Sequence, residues 1–82
     1  MEKKEIFNKV AEEIKKLLKD QDVDLQMTSV IQEIGLNSID FIKLLVFIED
    51  EFEFEFDDED LMMDKYVIIE DVIDIIHDNA NV

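Results

Sequence analysis

Between residues 3 and 19 the apolar positions Ile6, Val10, Ile14, Leu17 and Leu18 recur at steps of three and four, with lysines and glutamates filling the other faces. Such a stripe buries one side of a helix, so a first helix is expected over residues 3–19. Asp20-Gln21-Asp22 ends it. Residues 20–36 keep no sustained period; isolated apolar residues, Val23, Leu25, Val30 and Ile34, are spaced to pin a long connection onto a core. A connection of that length in a small domain usually carries function.

A second helix is predicted over residues 38–52. Asn37 is its N-cap, and Asp40 at the third helical position is an acid in the first turn, where the helix dipole favours it. Two apolar stripes run along it. Phe41, Leu44, Leu45, Ile48 and Phe52 form one and read as buried. Ile39, Ile42 and Val46 form another, roughly a third of a turn away, bordered by Lys43, Glu49, Asp50 and Glu53. The second stripe is either more core or an exposed apolar strip with an acidic rim, as a docking face requires.

Phe52-Glu53-Phe54-Glu55-Phe56 alternates like a strand, but the chain holds no second segment to pair with it. It therefore reads as a helix end and loop whose phenylalanines cap the core. A short helix is expected over 57–63, capped by Asp57 or Asp58, with Leu61, Met62 and Met63 turned inward. A final helix covers 68–78, with Ile69, Val72, Ile73 and Ile76 on its buried face. The expected fold is all-α: a small four-helix bundle, three helices long and one short, with a long loop between the first two. Without proline and with a single glycine, the chain reads as one domain, 1–82.

Composition narrows the function. A chain of 82 residues buries only about 60–65% of its unfolded surface, which argues against an enzyme with its own deep pocket. Eight lysines, no arginine and 23 acidic residues give a net charge of −15, which repels nucleic acid and anionic membranes. The lysines cluster early: only Lys43 and Lys65 lie beyond residue 20. The rest of the surface is negative and speeds encounter with basic partner surfaces. There is no cysteine, hence no disulfide and no thiolate ligand, which fits a reducing compartment. Met1-Glu2-Lys3-Lys4-Glu5 lacks the apolar core of a signal peptide and no apolar run approaches a membrane span, so a cytoplasmic domain is expected, and with no evident coiled-coil seam a monomer.

The candidate chemistry sits at Gly35-Leu36-Asn37-Ser38-Ile39. Here a serine hydroxyl meets the start of a helix, where backbone N–H groups and the helix dipole favour a phosphate. The arrangement suits an attachment point for a phosphate-bearing group, although serine at such a position most often only caps. Other chemistries are weaker. Ser38, Asp40 and His77 form no recognisable hydrolase motif, and Asp20-x-Asp22-x-Asp24 begins like a calcium loop but has Leu25 where the glycine is required. Asp57-Asp58-Glu59-Asp60 reads as capping and solubility. No metal site is expected.

The element order, the long first loop, and Gly35-Leu36-Asn37-Ser38-Ile39 leading into Ile42-Lys43-Leu44 and Glu49-Asp50-Glu51-Phe52 resemble the acyl carrier and peptidyl carrier protein family over about residues 5–77. That resemblance implies an antiparallel four-helix bundle with 4'-phosphopantetheine esterified to Ser38. The group would come from coenzyme A through a phosphopantetheinyl transferase and hold an acyl or aminoacyl cargo as a thioester. The domain would be a carrier and not a catalyst, serving a fatty-acid-like, polyketide or nonribosomal peptide pathway. Its partners would be loading and condensing enzymes with basic docking surfaces, met through Asn37, Ile39, Asp40, Ile42, Lys43, Val46 and Glu49. Phe41, Leu45, Ile48, Phe52 and Phe56 would line the interior. Three positions depart from the family pattern: Asn37 stands where aspartate is usual, Lys43 where fatty-acid carriers show glutamate, and Phe41 where a smaller residue is common. The alternative is an acidic helical adaptor that binds a basic protein and carries no prosthetic group.

Overall fold

Three α-helices carry the core in a computed structural model that describes residues 1–80: α1, Lys3–Leu18; α2, Ser38–Phe52; and α3, Ile69–Asn79. Helix α1 packs on both others. Its Ile6, Val10 and Ile14 are at most 2% exposed, which follows from their shared face. Leu17 and Leu18 lie half-buried at its end, where Lys19 turns left-handed (φ 56°) and the Asp20 N–H reaches the Lys15 carbonyl at 3.1 Å. The expected α2 stripe, Phe41, Leu44, Leu45, Ile48 and Phe52, is fully inside, as are Ile69, Val72, Ile73 and Ile76 of α3. Each such side chain contributes about 1.5–3 kcal/mol by leaving water. Lys9 donates to Glu51 at 2.7 Å, joining the second turn of α1 to the last turn of α2 as antiparallel packing requires.

The fourth, short helix takes a different form. Residues 57–63 give a 3₁₀ turn over Asp58–Leu61, followed by another over Met63–Lys65. Neither Asp57 nor any other side chain caps the first of these. Leu61 and Met63 are half-buried, but Met62 is 59% exposed, so the expectation that all three turn inward fails for Met62. The cause is geometric: a tight turn with an extended residue between its two halves (Met62 φ −87°, ψ 125°) sends neighbouring side chains to opposite sides. Phe56 is buried, and its N–H donates to a Glu49 carboxylate oxygen at 2.9 Å. Phe54 packs against Phe56 with ring centroids 4.9 Å apart.

The loop over 20–36 is tied down by backbone as well as by Leu25. The first N–H groups of α3 have no partner within their own helix. Ile69 donates to the Ser29 carbonyl at 3.0 Å and Glu70 to the Met27 carbonyl at 2.9 Å, while Ile31 donates back to the Val67 carbonyl at 2.9 Å. Asp71 turns its carboxylate onto the N–H groups of Val67 and Ile68. Lys3 bridges α1 to Glu70 and Asp74 of α3; its hydrogen bond to Asp74, then that to Glu70, raise its pKa above the ordinary lysine value. Among the described residues no helix is long and apolar enough to cross a membrane.

Candidate functional site

The loop reaches α2 through a turn that only glycine adopts easily. A 3₁₀ turn over Ile31–Glu33 is followed by Gly35 at φ +103°. A β-carbon there would meet Leu18 at 3.5 Å, an ordinary contact, so the backbone angle and not lack of space selects glycine. Leu36 then drops into the core and Asn37 takes an extended conformation (ψ 176°). Its side-chain oxygen accepts the Asp40 N–H at 2.7 Å. Asn37 is therefore the cap that its residue type predicts.

Ser38 is the first residue of α2 and is exposed. Its hydroxyl makes no hydrogen bond to any described residue. The capping duty that would otherwise explain a serine here belongs to its neighbour. Of the first-turn amides of α2, that of Asp40 is taken by Asn37, and those of Ser38 and Ile39 lie at the helix start, where an anion is favoured. An open groove of about 630 Å³ starts at this point, with Gln32, Asn37 and Asp64 on its rim and Leu36, Ile42 and Met62 among its walls.

The other expected site residues share one face of α2. Ile39 is 69% exposed, Ile42 43% and Val46 58%, so the second stripe is an uncovered apolar strip and not additional core. Lys43 is exposed beside it and makes no ion pair with a described residue. Lys65, the other late lysine, pairs with Asp60, which raises its pKa. Asp40 lies half-exposed at the helix start. Glu49 is less free than a rim acid, because it holds the Phe56 N–H.

The competing chemistries find no geometry. No hydrogen bond links Ser38 or Asp40 to His77, whose Nδ1 lies 3.6 Å from Asp78. Asp20 accepts the Asp22 N–H and Asp24 accepts from Gln26, both as turn contacts. Among the described residues no cluster of histidine and carboxylate side chains could hold a metal ion.

Sequence alone does not reveal the wall facing Ser38, made by Leu61, Met62 and Met63 with Gln32 and Asp64. One signal is present: two adjacent methionines next to an acidic run cannot both be buried in a one-turn element. Tyr66 fixes this wall. Its hydroxyl donates to the Asp60 carbonyl at 2.6 Å, and burial, helped by the Asp60 charge, pushes its phenol well above the ordinary tyrosine pKa.

Comparison with known proteins bears on the same residues. Residues 8–76 match the family described as phosphopantetheine attachment site. A curated acyl carrier protein from Coprothermobacter proteolyticus is 37% identical over 96% of this chain and 95% of its own length. One from Campylobacter lari is 33% identical over 77% and 79%. The crystal structure of an acyl carrier protein from Thermotoga maritima superposes with a TM-score of 0.78 at 34% identity, covering 95% of this chain and 89% of that one.

Proposed function

Since the chain belongs to the acyl carrier protein family, we propose that Ser38 is the residue to which its 4'-phosphopantetheine is joined. The protein is a carrier rather than a catalyst. One observation carries the assignment to Ser38: its hydroxyl is exposed and uncommitted at a helix start that Asn37 already caps. When bound, the group supplies a thiol that this cysteine-free chain lacks, and the thiol holds acyl or aminoacyl cargo as a thioester.

In the attachment step the Ser38 oxygen forms a new bond to the β-phosphorus of coenzyme A. The pyrophosphate P–O bond breaks, adenosine 3',5'-bisphosphate leaves, and the hydroxyl proton passes to a base of the phosphopantetheinyl transferase. The chain's own contribution is position. The N–H groups left open at the start of α2 and the dipole of a 15-residue helix would favour the charge of the phosphodiester.

Partner enzymes meet the strip of Ile39, Ile42 and Val46, with Asn37, Asp40, Lys43 and Glu49 around it. The net charge of −15 draws basic docking surfaces toward it. Lys43, which makes no ion pair with a described residue, and the bulky Phe41 favour a dedicated polyketide-like or nonribosomal peptide-like role over general fatty-acid synthesis. The protein acts as a cytoplasmic monomer.

Intact mass tests the assignment. The wild type, incubated with coenzyme A, magnesium and a broad-specificity transferase, should gain one phosphopantetheine, and Ser38→Ala should gain none. No gain from folded protein and active transferase would overturn Ser38 as the attachment residue; gain by both proteins would move the site elsewhere in the chain.

A further inference from the structure

A partner that covers the outer strip of α2 meets a positive charge in the middle of it. Ile39 stands four residues before Lys43 and Val46 three residues after, so both are its neighbours on the helix surface, one turn to either side. Ile39 is 69% exposed, Val46 58% and Ile42, adjacent in sequence, 43%. Taking Ile39 and Val46 out of water brings the partner's surface against the exposed Lys43 that lies between them along the axis.

Nothing in the described part of the chain neutralises that charge. The helix neighbours of Lys43 are Ile39, Asp40, Val46 and Phe47, and Asp40, the one acid among them, makes no ion pair with it. Lys65, the other lysine beyond residue 20, is held by Asp60. Lys3 and Lys9, on α1, are likewise taken, by Glu70 with Asp74 and by Glu51. Lys43 is thus one open cation on a strip whose next charged positions toward the end of α2, Glu49 and Asp50, are negative.

Covering an ammonium without a counter-charge is costly, and setting a second cation against it is worse. A docking surface that is basic throughout incurs both penalties at Lys43. A surface with a carboxylate there, apolar pockets for Ile39, Ile42 and Val46, and basic side chains only toward Asp50 incurs neither. The net charge of −15 still attracts partners that are basic as a whole, because it acts at long range and the pairing at Lys43 is local.

We propose that Lys43 sets partner choice on α2, and that the enzymes fitting this carrier present an aspartate or glutamate carboxylate opposite it. This rests on α2 being the docking face and supplies the chemistry of the partner's side. Attraction for one arrangement combined with repulsion of the other is how an interface separates related partners.

The test keeps docking apart from attachment by using the full chain carrying Ser38→Ala, which binds a transferase without being loaded. A photo-crosslinking side chain at position 43 first locates the facing position of a broad-specificity phosphopantetheinyl transferase. A transferase library randomised there is then selected for binding at low salt to three carriers: the Ser38→Ala chain itself, and the same chain with Lys43→Glu or Lys43→Met. Aspartate or glutamate should be selected by the carrier that keeps Lys43, lysine or arginine by Lys43→Glu, and neither sign by Lys43→Met, which retains the length of the side chain without its charge. The matched pair should bind about tenfold more tightly than the mismatched one, a difference that high salt reduces. The same residues selected by all three carriers, or no variant that separates them, would overturn the proposal. Loading of the wild type with coenzyme A is read by intact mass alongside; its failure would remove Ser38 as the attachment residue and leave the binding result standing.

Discussion

The side-chain oxygen of Asn37 accepts the backbone N–H of Asp40 at 2.7 Å, and this bond leaves the adjacent Ser38 without a capping role. Asn37→Ala should therefore cost about 1 kcal/mol, a fall of about 4–8 °C in Tm for a domain of this size. Asn37→Asp should keep the cap. Ser38→Ala should stay within about 0.5 kcal/mol of wild type, as exposed substitutions do. Thermal unfolding followed by circular dichroism separates the three; equal losses at positions 37 and 38 would show that the serine shares the cap.

Tyr66 is the chain's one tyrosine, so its ionisation can be followed alone. Burial raises its folded pKa above the unfolded value of about 10. The neutral phenol is thus favoured by the fold: its contribution is fully present below about pH 10 and is lost as pH rises from there toward the folded pKa. Tyrosinate absorbance should appear only together with unfolding. Lys3 and Lys65, whose pKa values are also raised, lose their contributions in the same direction, so the difference between wild type and Tyr66→Phe is the readout. That variant should lose about 1 kcal/mol at neutral pH with its hydrogen bond and show a shallower alkaline decline. Ordinary tyrosine titration in the native protein would contradict this account.

Salt should stabilise the protein. Exposed pairs such as Lys3 with Glu70 and Asp74 weaken on screening, but they contribute little in water. The larger effect is repulsion among the 19 acids between residues 20 and 78, a span whose only lysines are Lys43 and Lys65. Tm should therefore rise between low salt and about 0.15 M, where the screening length falls to about 8 Å. An unchanged or falling Tm would place the balance with the ion pairs.

Docking should be separable from folding on α2. Val46 is 58% exposed and Leu45 beside it 1%. Val46→Asp should alter stability by no more than about 0.5 kcal/mol and raise the transferase KM about tenfold, the equivalent of about 1.4 kcal/mol of lost contact. Leu45→Ala should do the reverse, losing about 2–5 kcal/mol of stability with little change in KM where the protein is still folded. Lys43→Glu should speed association with a basic partner at low salt, and the gain should vanish at high salt. A Val46→Asp protein with unchanged KM would remove the strip from the docking surface.

The long helices are legible in the sequence because burial writes itself there as period: Ile6, Val10 and Ile14, or Ile69, Val72, Ile73 and Ile76, have one side to hide. Asn37 and Gly35 are legible for a different reason, since a cap and a positive φ each select a residue type locally. The second stripe of α2 is not decidable from pattern, because Ile39, Ile42 and Val46 would look the same under a neighbouring helix as in water. The segment 57–65 is the least legible. Its shape depends on Tyr66 reaching back to the Asp60 carbonyl and Lys65 to the Asp60 carboxylate, contacts with no periodic trace. The outward turn of Met62, and with it one wall of the groove, follows from that local geometry.

The carbonyls of Met27 and Ser29 end the hydrogen-bond ladder of α3 from outside the helix, so the loop and the helix cannot loosen separately. In hydrogen-exchange terms the amides of Ile31, Ile69 and Glu70 belong to one opening event, far apart in sequence though they are. The approach to Ser38 is thereby held in register by backbone hydrogen bonds, in a chain with no cysteine to crosslink it. Peeling the loop away would fray α3, and the cooperativity of the whole domain resists it.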